Sequence, residues 1–240
     1  MKYAIVTGGS KGIGKAIVKE LLQRKFFVFI TYAKDLYAVN RLKIDFEQYH
    51  GSFELLKVDH SDLNQVRNFC NHIKSTVPHI DCIICNVGKT IRKSFLEIED
   101  DDWTSILNVS LLSHFVIVRN LYTMISRNSR LIFIGSLMGH YPHSTSLVYG
   151  VVKSAVHALA KNLVKEFEGT GTTVNAVLPG FVETEWQKNK PEEIRANIYA
   201  KTATKRFASS EEIADACMFC LENSFVNGSL IEISGGYNFK

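Results

Sequence analysis

Near its amino terminus the chain reads Thr7-Gly8-Gly9-Ser10-Lys11-Gly12-Ile13-Gly14, directly between an apolar run and a segment with helical periodicity. Glycines at positions 8, 12 and 14 permit a tight turn that brings backbone amides close to a pyrophosphate, whose charge is favoured by a helix N-terminus. This strand–loop–helix placement predicts a dinucleotide site, and the alternative is a glycine-rich turn that binds no ligand. We expect the cofactor to contact Gly8, Ser10, Lys11, Gly12, Ile13 and Gly14.

Beyond this loop, short apolar runs alternate with longer segments of helical period, which is typical of βαβ units. Strands are predicted near residues 3–7, 26–32, 53–58, 81–86, 131–136, 173–178 and 230–233. Helices are predicted near residues 13–24, 36–49, 63–75, 101–126, 149–168 and 211–222. The predicted fold class is α/β: one Rossmann-type domain over residues 1–240, with a doubly wound parallel seven-stranded sheet and helices on both faces.

Composition limits the classes of partner. The 240 residues are 46% hydrophobic, enough for a large core, and 28 basic against 24 acidic residues give a formal net charge of +4. No Lys/Arg run has the density of a nucleic-acid patch, and no apolar stretch approaches the roughly 20 residues that span a bilayer. The first strand runs directly into the glycine loop, with no signal peptide ahead of it. We therefore expect a cytoplasmic protein with neither nucleic acid nor membrane as a partner.

Two Cys-x-x-Cys pairs, Cys82/Cys85 and Cys217/Cys220, have the spacing of zinc half-sites. The first pair lies in a predicted buried strand, where an odd separation sends the two side chains to opposite faces. The second lies in a predicted helix. We therefore interpret all four as buried reduced thiols and expect no metal site.

A second motif begins at Ser136 and continues with Tyr149-Gly150-Val151-Val152-Lys153. Tyr149 and Lys153 are four residues apart in a predicted helix, so their side chains share one face. An ammonium about 4 Å from the phenol, at an effective dielectric near 20, is worth about 4 kcal/mol and would lower the phenol pKa by up to about three units. Tyr149 is therefore a candidate general acid or base. Ser136, at the carboxyl end of a predicted strand, could donate to the same carbonyl oxygen.

Cofactor selectivity is usually set after the second strand, where a carboxylate would hold the ribose 2′-hydroxyl and repel a 2′-phosphate. That stretch reads Ile30-Thr31-Tyr32-Ala33-Lys34, with no carboxylate at the strand end and Asp35 only after a lysine. Lys11 and Lys34 could both face a 2′-phosphate, which favours NADP(H) over NAD(H). Asp59, after the third predicted strand, could bind the adenine amine or simply form a turn.

Together these motifs resemble the short-chain dehydrogenase/reductase family, in its compact single-domain branch, over about residues 2–237. The family's Asn-Asn-Ala-Gly element is matched at Asn86 and Gly88, although Cys85 and Val87 replace its first Asn and its Ala. Pro179-Gly180-Phe181-Val182-Glu183-Thr184 resembles its Pro-Gly-x-x-x-Thr segment. The catalytic tetrad of the family is matched by Asn108, Ser136, Tyr149 and Lys153.

The resemblance implies a role for each matched residue. Tyr149 would donate a proton to the carbonyl oxygen while Ser136 positions that oxygen. Lys153 would hold the nicotinamide ribose and lower the Tyr149 pKa, and Asn108 would anchor a water. Further cofactor contacts are implied for Tyr32, Asn86, Gly88, Pro179, Gly180, Val182 and Thr184, the last two at the nicotinamide carboxamide.

Within the family the chain looks most like 3-oxoacyl-(acyl-carrier-protein) reductases, which implies NADP(H)-dependent hydride transfer to a 3-oxoacyl thioester or a related small ketone. Reductases of sugars, steroids and other ketones share many of these motifs and remain alternatives. A catalytically weak or dead dinucleotide sensor or scaffold is another. An extended epimerase would need a larger carboxyl-terminal domain than the residues after Thr184 allow.

The resemblance also implies a homo-oligomer, a tetramer or dimer, and a mobile substrate lid near residues 182–204. An acyl carrier protein is acidic, so its docking would use cations near the pocket entrance. Of the two segments that supply them in the resembling reductases, one offers Arg127 and Arg130, whereas residues 168–173 offer none. We expect only a weak preference for a carrier-protein-bound substrate.

Overall fold

A computed structural model of the chain describes residues 1–237 and 239. Seven parallel strands form one sheet, which confirms the predicted α/β architecture. The strands are β1 Lys2–Val6, β2 Phe26–Tyr32, β3 Phe53–Lys57, β4 Ile80–Cys85, β5 Ile125–Ile134, β6 Thr173–Pro179 and β7 Leu230–Ile233. The α-helices are α1 Gly12–Gln23, α2 Leu36–Asp45, α3 Leu63–Thr76, α4 Asp100–Leu107, α5 Ser113–Leu121, α6 Leu147–Glu166, α7 Glu192–Lys201 and α8 Ser210–Glu222.

The strand order is β3-β2-β1-β4-β5-β6-β7, so the chain winds outward from β1 in one direction and then from β4 in the other. The loops that leave β1 and β4 therefore diverge to opposite faces and open a crevice between them. The glycine loop follows β1, and Asn86 follows β4. The topology alone brings these two segments together at one edge of the sheet.

Period-two alternation sorts strand side chains between two apolar layers. In β5, Ile132 and Ile134 join the layer covered by α1 and α8, whereas Leu131 and Phe133 join the layer covered by α3, α5 and α6. Both faces of the sheet are therefore buried, as near-continuous apolar strands require.

The helix predicted over residues 101–126 is interrupted in the structure. A π-helical turn, Asn108–Leu112, separates α4 from α5, a 3₁₀ turn follows at Tyr122–Met124, and the next strand begins at Ile125 rather than at 131. A π turn adds one residue to a helical turn, and the spacing of apolar residues does not reveal this addition. The sequence therefore predicted one continuous helix.

Helix α7 lies inside the predicted lid and was not predicted from the sequence. It begins after Pro191 and has Glu192 and Glu193 in its first turn. Carboxylates at this end interact favourably with the helix dipole. Only Ile198 of this helix is buried, so it lacks the apolar stripe on which the sequence argument depends.

One helical run, Asp100–Met124, is long and apolar enough to cross a membrane by length and composition, with a mean hydropathy of 1.2. The expectation that no such stretch exists is therefore wrong in this narrow sense. Half of the apolar window is buried inside the fold, as in the core helix of a globular protein.

All five cysteines are free and buried. Cys82 packs in the layer of α1 and α8 together with Cys217 and Cys220, whereas Cys85 packs in the other layer, which confirms their predicted opposite directions. Burial raises the pKa of Cys82 to about 12. These side chains are therefore protonated apolar fillers rather than nucleophiles.

Candidate active site

A cavity of about 460 Å³ lies at the crevice between β1 and β4 and extends from the glycine loop to Tyr149. Most residues predicted as site residues line it: Gly8, Ser10, Lys11, Gly12, Ile13, Gly14, Tyr32, Lys34, Asn86, Gly88, Ser136, Tyr149, Lys153, Pro179, Gly180, Val182 and Thr184. Asp59 and Asn108 do not line it. The wall also contains Thr90, Arg92, Phe181, Trp186 and Gln187, which the sequence argument did not single out.

The glycine loop leaves no room for side chains. Gly8 and Gly12 have φ of +64° and +53°, in the left-handed region that favours glycine. A Cβ at Gly14 would collide with the Gly8 carbonyl oxygen and lie 2.7 Å from Asn86 Nδ2. The resulting bare backbone at the start of α1 is a cradle that fits a pyrophosphate.

Thr7 and Asn86 join this loop to the end of β4. The Thr7 hydroxyl accepts hydrogen bonds from the backbone amides of Asn86 and Val87, at 2.9 and 3.0 Å. Asn86 Nδ2 donates to the carbonyl oxygens of Thr7 and Gly8, at 2.9 and 3.1 Å. Val87 replaces the alanine of the family, and its backbone amide still donates to the Thr7 hydroxyl.

A buried histidine, His60, supports the same loop through the side chain of Thr31. The Gly8 amide donates to Thr31 Oγ1 at 3.0 Å, and that hydroxyl lies 2.9 Å from His60 Nε2. Burial lowers the pKa of His60 to about 4. His60 is therefore neutral when the loop is in this conformation.

We expect the protein to lose stability in mild acid, in part through His60. Its folded-state pKa lies below the unfolded value, so the unfolded chain binds more protons between about pH 6.5 and 4. This contribution is fully present above pH 6.5 and is lost as the pH falls toward 4, by up to about 1.4 kcal/mol per pH unit. Urea unfolding across this window measures the slope. His60→Asn should flatten it, whereas His50→Asn, at an exposed position, should not; equal slopes in all three proteins would contradict the assignment.

Tyr149 and Ser136 meet at the other end of the cavity. Burial raises the pKa of Tyr149, an effect opposed by its hydrogen bond with the Ser136 side chain. The expectation that Lys153 lowers this pKa toward 7 is therefore wrong for this structure. Lys153 Nζ lies 5.8 Å from the Tyr149 ring centroid, and removal from water outweighs its charge.

The Lys153 ammonium is buried and donates to the Ile134 carbonyl oxygen at 2.6 Å. Burial lowers its pKa to about 8. A Cβ at Gly88 would lie 3.5 Å from Lys153 Nζ, so the ammonium faces the loop after β4 as well as the cavity. It is in position to hold a hydroxyl-bearing ligand between these two segments.

His157 is a site residue that the sequence argument missed. Its Nε2 accepts a hydrogen bond from the Ser136 amide at 3.3 Å, and burial lowers its pKa to about 4. The ring fills the space left by Gly135 and Gly139, where added Cβ atoms would lie 2.7 Å from His157 Cδ2 and 2.5 Å from its Cε1. Neutral His157 therefore fixes the backbone that presents Ser136.

Asn108 begins the π turn and is half-buried outside the cavity wall. The turn brings Ser110 behind the loop after β4, where its hydroxyl accepts from the Lys89 amide at 3.0 Å. π turns are frequent at functional sites because they redirect side chains. The water-anchoring role of Asn108 stays a prediction.

Asp59 forms a turn. Its Oδ1 accepts from the Ser61 amide at 2.9 Å and from the Ser61 hydroxyl at 2.6 Å. These bonds lower the Asp59 pKa, the hydroxyl contributing most. The carboxylate is thus occupied by its own loop, and contact with an adenine stays a prediction.

The end of the cavity beside β2 holds Lys11, Lys34 and Asp35. Lys11 Nζ forms an ion pair with Asp35 Oδ2 at 2.7 Å, and Asp35 also accepts from the Ala38 amide as the N-cap of α2. The sequence argument placed Asp35 after Lys34 and beyond the strand end, but Asp35 also lines the cavity. To bind a phosphate, the Lys11 ammonium must therefore break its ion pair with Asp35 or contact both groups at once.

Arg127 and Arg130 do not lie near the cavity. Arg127 Nη2 donates to the Gly169 carbonyl oxygen at 2.8 Å, and Arg130 Nε to that of Leu221 at 3.0 Å. Ser136 follows the carboxyl end of β5, about 20 Å from Arg130 at roughly 3.3 Å per residue. Within this chain, the prediction that these cations flank the pocket entrance is wrong.

Comparison with known proteins gives matches over almost the whole chain. A family model described as short chain dehydrogenase matches residues 2–195. The 3-oxoacyl-(acyl-carrier-protein) reductase FabG of Salmonella typhimurium is 30% identical over 239 residues, covering 98% of this chain and 96% of that protein. A short-chain dehydrogenase/reductase from Serratia marcescens superposes with a TM-score of 0.92 at 28% identity, covering 99% of this chain and 98% of its own. BdcA, solved in complex with NADPH, has a TM-score of 0.88 at 26% identity, covering 98% of this chain and 94% of its own.

Proposed function

The chain belongs to the short-chain dehydrogenase family, and from this membership we propose an NADP(H)-dependent reductase of a 3-oxoacyl thioester or a related small ketone. The observation that carries the proposal is that Ser136, Tyr149 and Lys153 share one cavity wall with the glycine loop. A proton donor and a dinucleotide cradle thus open on the same space.

In carbonyl reduction, a bound nicotinamide dinucleotide supplies the hydride. Tyr149 Oη donates its proton to the carbonyl oxygen, and the Ser136 hydroxyl positions that oxygen by a second hydrogen bond. Because burial keeps the phenol protonated, the geometry favours Tyr149 as an acid, in the direction of carbonyl reduction. Lys153 supplies positive charge next to this centre and holds the sugar of the cofactor.

Purified protein incubated with NADPH and a panel of ketones and 3-oxo thioesters tests this function through loss of absorbance at the nicotinamide band. A catalytically dead sensor would bind NADPH without consuming it. Three of the four tetrad residues, Ser136, Tyr149 and Lys153, line the cavity, which favours the enzyme.

We expect NADPH to be preferred to NADH. Lys34 lines the cofactor end of the cavity beside Lys11, so the two cations outnumber Asp35 there. A charge-assisted contact with the 2′-phosphate is worth about 1.5–3 kcal/mol, or roughly 10- to 100-fold in affinity. The measurement is kcat/KM with each cofactor.

Two variants separate the charges. Lys34→Ala should lower the NADPH/NADH ratio of kcat/KM by about 10-fold or more. Asp35→Asn should raise it, because the amide oxygen can still cap α2 while Lys11 is released. Lys43→Ala, on the exposed side of α2, is the control. Equal or better kcat/KM with NADH in the unmodified protein would exclude the preference.

For the acyl group we expect only a weak preference for a carrier-protein-bound form. Arg127 and Arg130 bind backbone carbonyl oxygens away from the cleft, and charged docking contacts mainly raise association rates and fade with salt. Acetoacetyl-carrier protein is compared with a matched small thioester. A kcat/KM about 100-fold higher for the carrier-bound form, collapsing in high salt, would identify a dedicated fatty-acid-synthesis reductase instead.

The proposal includes a single cytoplasmic domain, assembled as a dimer or tetramer, with residues 182–204 as the substrate lid. Exposed apolar side chains on α5 and α6, Phe115, Leu147 and Val151, support assembly because a second copy would cover them.

The segment 182–204 contacts the glycine loop through Thr184, since a Cβ at Gly12 would lie 3.3 Å from Thr184 Cγ2. This contact supports closure of the segment over the cofactor.

A further inference from the structure

Arg92 lies in the cavity wall, in the loop that follows β4. The backbone amide of the next residue, Lys93, donates to the Thr145 carbonyl oxygen at 3.2 Å. This bond ties the Arg92 loop to the segment that leads into α6 and Tyr149. Arg92 is therefore on the side of the proton donor, whereas the glycine loop is at the other end.

Lys190 lies beside the same cavity, next to a residue of its wall. Its Nζ lies 5.5 Å from the ring centroid of Phe181, and Phe181 lines both the main cavity and a smaller pocket beside Ser136. Burial and then the charges of Arg92 and Arg195 lower the pKa of Lys190. The charge of Arg92 therefore acts on Lys190.

Two cations near them are neutralised by carboxylates, but Arg92 and Lys190 are not. Arg195 is bound by the Glu183 carboxylate and Lys93 by Asp102. Over residues 1–237 and 239, neither Arg92 nor Lys190 forms an ion pair. Nearby in the wall, Gln187 is buried with its Oε1 unpartnered within the described part of the chain, so this oxygen can accept a hydrogen bond from a donor group of the substrate.

We propose that Arg92 and Lys190 form an anion site for the carbonyl substrate, which is therefore an oxo acid or an oxo compound carrying a phosphate. The inference rests on the proposed function and narrows its substrate class. Two cations without a carboxylate partner beside one cleft repel each other until an anion lies between them. The bound anion would place the carbonyl between itself and Tyr149.

Matched pairs of 3-, 4- and 5-oxo acids and their neutral methyl esters test the proposal. The readout is the acid/ester ratio of kcat/KM, which cancels differences in active protein between preparations. At the best chain length we expect the acid to be favoured, and Arg92→Gln or Lys190→Gln to lower the ratio by about 10-fold or more each. Lys43→Gln removes the same charge from α2 and should leave the ratio unchanged.

A second arm identifies the source of the anion. Acetoacetyl-coenzyme A is compared with acetoacetyl-N-acetylcysteamine, which lacks the phosphates. If only the coenzyme A thioester is preferred to its phosphate-free analogue, and both variants lose that preference, the site binds the phosphate of a thioester carrier. If only the acids are preferred to their esters, the site binds a carboxylate. In either case NADPH affinity, measured by fluorescence titration, should stay unchanged, because the site is not at the cofactor phosphates.

Ratios that are the same in wild type and both variants in both arms, or esters preferred at every chain length, would overturn the anion site. Reduction of the esters would then still support the proposed reductase. A loss of NADPH affinity equal to the loss in ratio would also overturn the assignment, because Arg92 and Lys190 would then serve the cofactor.

Discussion

Tyr149→Phe is expected to lower kcat by at least about 100-fold, because a positioned acid contributes 10²-fold or more. The ring remains to fill the cavity wall, so NADPH affinity and the melting temperature should change little. Stopped-flow or steady-state NADPH oxidation gives the rate, and fluorescence titration gives the affinity.

The matched control is Tyr122→Phe, which also removes one hydroxyl. Tyr122 Oη donates to the Glu166 carbonyl oxygen at 2.8 Å, away from the cleft, so this variant should keep full activity. More than about 10% of wild-type turnover in Tyr149→Phe would remove Tyr149 from the role of proton donor.

Lys153→Met should impair both cofactor binding and rate. The variant keeps most of the apolar stem but loses the ammonium that donates to the Ile134 carbonyl oxygen and faces the cavity. Charge-assisted hydrogen bonds are worth about 1.5–3 kcal/mol, so we expect NADPH affinity to fall about 10-fold and kcat by about 10- to 100-fold. Lys165→Met, exposed on the same helix, is the control. A change in only one of the two quantities would require a different assignment.

The pH profile gives an independent reading of Lys153. Its pKa is about 8, so the ammonium loses its charge as the pH rises through 8. Burial raises the pKa of Tyr149, which therefore stays protonated in this window. Wild-type carbonyl reduction should fall above pH 8, and Lys153→Met should lack that limb; a wild-type rate that is flat from pH 7 to 9.5 would contradict the assignment.

The repeating pattern of the sequence predicted the sheet well, because strands buried on both faces read as apolar runs between turns. Strand ends also located Ser136 and Asn86, which follow β5 and β4. The π turn at Asn108 was not predictable, since one added residue alters helical phase without changing composition. The predicted lowering of the Tyr149 pKa was wrong for a related reason. This pKa depends on the burial of the phenol and on its distance from Lys153, and sequence spacing alone gives neither.

Two missed features had partial signals. His157 follows Lys153 by four residues, as Lys153 follows Tyr149, so all three share one face of α6. Two glycines flank Ser136 closely, at positions 135 and 139, which leaves space for a ring. The pairing of Lys11 with Asp35 had no local signal, because 24 residues separate them and only the fold brings α1 and α2 together.

The bonds that Thr7 and Asn86 make across the crevice have a thermodynamic consequence. They connect segments 79 residues apart, so the conformational entropy of the glycine loop is given up when the chain folds rather than when a cofactor arrives. The amides of Asn86 and Val87, although outside any strand, should exchange with solvent deuterium about as slowly as those of β1 and β4. Cofactor association should then show a single fast phase with no preceding isomerisation of the loop.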